Sequence, residues 1–202
     1  MNPAPEILRL QDLMPASGRM LTKIASKPAQ TAVIDTPFPV PWRRDRPIYI
    51  NFDYWKQLSR PQRDLLLLRT VCWLIDIKWF QPDVYQALVV AGLIGTGSEL
   101  FQSDPVGIVV SGGLTALAAI QLWRKYRSNS LELAADESAL KVAERRGYDR
   151  LEAARHLASA IEAVPAIEGR TAMSFGELVR VQNLRAIADL SAASVPEGMR
   201  RS

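Results

Sequence analysis

Few side chains in this 202-residue sequence can make or break bonds, and those few are spread along the chain. His156 is the only histidine and Cys72 the only cysteine, so no Ser/His/Asp arrangement is supportable and neither a disulfide framework nor a thiolate metal site can be built. With no disulfide to protect, a reducing compartment is expected. Glu152 lies four residues before His156 and Ser159 three after it, which reads as a polar helix face rather than a ligand position. Ser111-Gly112-Gly113 lacks the Lys-Ser/Thr ending of a nucleotide loop and runs on into apolar sequence, so it reads as helix packing. What remains is carboxylates: Glu132 and Asp136, one helical turn apart, with Asp76 and Glu99 elsewhere. An enzyme of unrecognised mechanism would have to use these, and no cofactor and no metal is called for.

The elements that would position them are mostly helical. The first 47 residues hold eight of the thirteen prolines and read as a Pro-rich, basic N-terminal arm, with a short amphipathic piece from Glu6 to Met14. The rest, residues 48–202, reads as one helical domain. Thr31 to Asp35 and Pro47 to Phe52 are rich in β-branched and aromatic residues and predict a small β element. Ser59 with Pro61 opens a helix, apolar on most faces, that is expected to run to about Phe80. Ser130 to Arg146 predicts another, ended by Gly147. Asp149 followed by Glu152, and Ser174 followed by Glu177, are capping signatures for two more.

Between these lie two apolar runs, Tyr85 to Gln102 and Pro105 to Trp123, parted by Ser103 and Asp104. As helices they would be roughly 27 and 28 Å long at about 1.5 Å per residue, near the roughly 30 Å of a bilayer core. Their glycines suit close packing of membrane helices. We therefore expect a hydrophobic helical hairpin over 85–123 that anchors the chain in a lipid bilayer, with Trp79, Phe80 and Trp123 as interfacial aromatics beside Arg124 and Lys125. A buried hairpin in a soluble core is the alternative, favoured by Glu99, Asp104 and the marginal length. With Lys78 and Arg127 at the same mouth, the positive-inside rule puts both termini on the cytoplasmic side. A net charge of +4 without a basic run interleaved with aromatics gives no nucleic-acid signature.

Two resemblances add to this. The order of parts resembles the HtpX-like membrane zinc metallopeptidases: Glu132-Leu133-Ala134-Ala135-Asp136 stands where that family has ExxxD, and Gly147-Tyr148-Asp149 matches its following turn. The stretches Gln62 to Arg69, Val71-Cys72-Trp73-Leu74 and Gln182 to Ala188 more closely resemble a cyanobacterial membrane-protein family with a domain of unknown function, domain-of-unknown-function 3318, from Ile48 to Met199. The peptidase resemblance implies a degenerate site, because the HExxH positions hold Arg69, Thr70 and Trp73, none able to bind zinc or act as its general base. Glu132 would be a vestigial zinc ligand and Asp136 its neighbour, with the Arg69 guanidinium pairing to one of them in place of the metal; the alternative is that the two acids, one turn apart, are a solvated helix face. The expected function is that of a non-catalytic pseudo-metallopeptidase: a scaffold, assembly or interaction factor for a membrane complex, in the thylakoid or plasma membrane. Its partner would be a membrane protein, and a homo-oligomer stays open.

Overall fold

The computed structural model describes residues 2–40, 45–77, 84–102, 105–126 and 129–192. The chain forms α1 (Pro3–Leu13), α2 (Ala16–Leu21), β1 (Thr22–Ser26), β2 (Ile34–Asp35), β3 (Arg46–Ile50) and α3 (Phe52–Trp55). It continues as α4 (Arg60–Asp76), α5 (Val84–Gln102), α6 (Pro105–Tyr126), α7 (Asn129–Glu144), α8 (Arg150–Ile167) and α9 (Phe175–Ala192). Two compact units result, one from Met1–Ile77 with Glu132–Ser202 and one from Lys78–Leu131.

In the larger unit α4 is the central element, and its all-round apolarity has a specific cause. Leu65, Leu68 and Cys72 face a cluster with Leu140 of α7, Leu157 and Ile161 of α8 and Leu184 of α9. Leu67, Val71 and Leu74, on the other side, face a second cluster with Leu10 and Met14, Ile48 and Ile50 of β3, and Trp55. A helix that serves two cores must be apolar on two faces. The small sheet has the order β1-β3-β2. β2 pairs antiparallel to β3 with Ile34 opposite Ile50, while β1 runs parallel to β3 with Thr22 opposite Arg46.

The helix boundaries follow the local chemistry. Ser59 caps α4 with Gln62 returning to its backbone, and Pro61 sits in the first turn, where it loses no hydrogen bond. The α4 helix stops at Asp76, short of the expected Phe80. Asp149 accepts from the amides of Leu151 and Glu152 at 2.9 and 3.1 Å to open α8. Ser174 and Glu177 cap α9 reciprocally, the Ser174 amide donating to Glu177 at 2.7 Å. After α7 the chain turns at Gly147, whose φ of +90° is strained for any residue with a Cβ.

In the smaller unit α5 and α6 pack as antiparallel neighbours: a Cβ on Gly92 would meet Thr115 Oγ1 at 2.1 Å, and one on Gly95 would meet Ser111. The membrane-spanning reading of this hairpin is overturned, and with it the expectation of a membrane-anchored fold: among the described residues no helix is long and apolar enough to cross a membrane. Length was the misleading criterion. Gly92, Gly95, Thr96, Gly97 and Ser98 dilute α5, and Ser111, Gly112, Gly113 and Thr115 dilute α6, so each helix reaches about a bilayer's thickness without the unbroken apolar content that hydrocarbon requires. The assignment of both termini to the cytoplasmic side rested on that span and falls with it. Of the expected anchors, Trp79 and Phe80 lie outside the described residues, and Trp123, Arg124 and Lys125 end α6. The mainly α architecture with a small β element stands.

Candidate functional site

The carboxylates singled out from the sequence sit in a charged cluster of the larger unit. Asp136, in the second turn of α7, is fully buried. Arg180 of α9 grips it from one side, Nε and Nη2 donating to Oδ2 and Oδ1 at 2.7 Å each. This parallel two-bond geometry is the strongest that a guanidinium and a carboxylate can form. Arg69 of α4 comes from the other side: Nη2 lies against Glu132 Oε2, and Nε is 3.5 Å from Asp136 Oδ1. The buried Arg69 Nε makes no well-formed hydrogen bond, and its contact to Asp136 is longer than the two bonds from Arg180. Burial first, and the neighbouring Arg180 charge second, push the Arg69 pKa down to about 10, so it remains a cation at neutral pH. Two cations and two anions close to neutrality, which lets charges persist in an interior where a lone one would be prohibitive.

The structure thus brings Arg69 to both Glu132 and Asp136. Thr70 lies beside them, but its hydroxyl donates to the Leu66 carbonyl one turn back at 2.8 Å and is engaged there. Trp73, a turn further, packs edge-on against Phe38 with ring centroids 6.1 Å apart, and its indole Nε1 is buried without a hydrogen-bond partner. Arg69, Thr70, Trp73 and Glu132 share a shallow cavity of about 240 Å³ with Asp35 and Thr36. Asp76, at the end of α4, accepts from Ser138 Oγ at 3.2 Å. His156 is half-buried on α8, away from this cavity's lining. Cys72 is buried, and burial pushes its thiol up to about 12, so it is no nucleophile. Glu99 lies in α5, in the other unit.

Two things escaped the sequence reading. Arg180 was not singled out, although it stands four residues before Leu184 and eight before Ala188, on the stripe that α9 buries. A cation on an apolar stripe signals a buried acid partner. The second is a polar cluster under the N-terminal helix. Glu6, nearly buried, takes two bonds from Arg9 at 2.9 Å, one from Arg63 at 2.9 Å and one from Trp55 Nε1 at 3.3 Å. Its carboxyl is held below the usual range chiefly by the bonds to Arg9. Arg9 also pairs with buried Asp64 at 2.6 Å, which accepts from the Tyr148 hydroxyl at 2.7 Å.

As chemistry, the Arg69 cluster can cross-link three helices, α4, α7 and α9. Both carboxylates are paired with guanidiniums, which opposes their use as general bases. Among the described residues no group of three or more His, Cys, Asp or Glu side chains could hold a metal ion.

Comparison with known proteins places the chain in context. A family described as proteins of unknown function, DUF3318, matches over residues 8–148. A thylakoid membrane protein of Synechocystis sp. strain PCC 6803, slr1949, is 27% identical over 118 residues, which is 57% of this chain and 56% of that protein. The chain therefore spans little more than half the length of the curated relative it matches. No solved structure matches it. Nothing in these similarities supports the resemblance to the HtpX-like metallopeptidases, and that part of the sequence reading is corrected: an ExxxD pair on a helix is here an ion-pair partner set for Arg69 and Arg180.

Proposed function

The chain belongs to this DUF3318 family, and from that premise we propose that it is a non-catalytic interaction protein, a scaffold or assembly factor that docks on a membrane protein through the exposed apolar surface of α5 and α6. The observation that carries this is a set of large apolar side chains on these helices, nine among the described residues and including Val90, Leu93, Ile94, Val109, Leu114 and Leu117, between 51% and 74% exposed. Such a concentration of exposed apolar surface is what interaction sites have and isolated domains avoid. The relative's being a thylakoid membrane protein supports a membrane protein as the occupant. Since no described helix is long and apolar enough to cross a membrane, a protein surface suits these helices better than the bilayer interior. The absence of a catalytic role is supported by the state of the carboxylates: Glu132 and Asp136 are paired, and Asp76 is held by Ser138.

The test is photo-crosslinking in isolated thylakoid membranes, comparing the native chain with the double variant Leu93→Glu/Leu117→Glu, whose exposed positions tolerate charge without disturbing the larger unit's cores. We expect the native chain to give a cross-link to a defined membrane protein that the variant does not give. Cross-links only to a second copy, or a pattern identical in the variant, would overturn the reading.

A further inference from the structure

A cavity of about 420 Å³ opens where α1, the start of α4 and the α7–α8 turn meet, and its lining is unusual in charge. Three guanidiniums, Arg9, Arg60 and Arg146, converge on it from three elements, against two carboxylates, Asp12 and Asp64. Arg9 is neutralised by Glu6 and Asp64. Arg146 is held in place by backbone carbonyls alone, Nε donating to Leu13 O at 3.0 Å and Nη2 to Met14 O at 2.7 Å, so its charge meets no carboxylate among the described residues. Arg60, exposed at the first position of α4, makes no ion pair or hydrogen bond there either.

Burial chiefly, and then the bond to Asp64, push the Tyr148 phenol up to about 12, so it stays a neutral donor. Tyr148 lines the cavity together with Arg9 and Arg60. Two cations without a carboxylate partner, one of them pre-positioned by the fold, leave the cavity with more positive charge than Asp12 can balance.

We propose that this cavity binds a phosphate group, either free or as the head group of an anionic lipid, between Arg60 and Arg146. A guanidinium matches phosphate with two parallel hydrogen bonds, and the cavity is roomy enough for phosphate carrying a small substituent. Asp12, exposed and without a cation, lies at the same site and weakens anion binding there. This stands independently of the docking surface on α5 and α6, since every residue in it belongs to the larger unit.

The experiment uses the full chain. Calorimetric titration with inorganic phosphate at low salt, and sedimentation with vesicles of phosphatidylglycerol or of phosphatidylcholine, are run on the native protein, Arg60→Gln and Asp12→Asn. Both substituted positions are exposed, so the variants fold. We expect saturable binding in at least one phosphate-bearing arm, none to phosphatidylcholine above the control, about a tenfold loss in Arg60→Gln and a gain in Asp12→Asn. Phosphate alone identifies a soluble ligand, and phosphatidylglycerol with or without phosphate identifies a head group. Binding in neither arm, binding unaltered by Arg60→Gln, or binding lost in Asp12→Asn overturns the proposal.

Discussion

Asp136 has no exposed surface and two guanidiniums beside it, so the consequences of removing either cation differ in a calculable way. Arg180→Ala strips away both good hydrogen bonds and leaves a buried carboxylate facing only Arg69; we expect a loss of roughly 3 to 5 kcal/mol in urea unfolding. Arg69→Ala leaves Asp136 in the grip of Arg180, while Glu132, about a third exposed, turns to water, so a smaller loss of about 1 to 3 kcal/mol is expected. Equal losses from the two variants would show that the cluster is not organised around Arg180. A second carboxylate gives a pH signature. Two bonds from Arg170, foremost, hold Glu177 down at about 2, against an ordinary 4.5. A lowered folded pKa means that the stability from this pair is fully present above 4.5 and is lost as pH falls towards 2. The urea midpoint should therefore drop across that window, and Glu177→Gln, measured at the same pH values, should show a shallower drop.

At the scale of elements, close approach and capping decide. At Gly92 there is no room for a methyl group against α6, and the Thr115 hydroxyl that it would strike already donates to the Ser111 carbonyl at 2.7 Å, so it cannot swing away without losing that bond. Gly92→Ala should loosen the pair, seen as faster hydrogen exchange in α5 and α6 with α8 unaffected, and Thr115→Ala in the same chain should restore much of the protection. Unchanged exchange in the single variant would mean that the helices do not meet there. The α9 helix depends on its reciprocal cap: Ser174→Ala should cost about 0.5 to 2 kcal/mol, measured by thermal unfolding of the whole chain.

For the molecule as a whole, the main division is between a unit with two apolar clusters arranged around α4 and a helical pair that leaves much of its apolar surface exposed. The N-terminal segment belongs to the first. Although rich in proline, it supplies Leu10 and Met14 to the core and Glu6 to the buried cluster with Arg63 and Trp55. Its amphipathic piece was legible from Glu6 to Met14; its role was not, because neither the apolar stripe nor a Glu6-Arg9 spacing says what lies opposite.

The sequence by itself determined the longer helices from α4 onward, because capping residues and apolar periodicity act over one or two turns; the short α2 and α3 carry no such signal and come from the structure alone. Ser59, Asp149, Ser174 and Gly147 mark boundaries of the longer helices without reference to the rest of the chain. The Arg69 pairing was expected only through the resemblance to the metallopeptidases, which the similarities do not support, although the contacts themselves are present. Tertiary structure alone decided the rest. It supplied Arg180, brought from 44 residues beyond Asp136, and gave α4 two separate protein cores to face. It also gathered Arg9, Arg60 and Arg146, far apart in sequence, around one cavity. Local rules fix where a helix begins, but which charges meet depends on distances that only the packed chain sets.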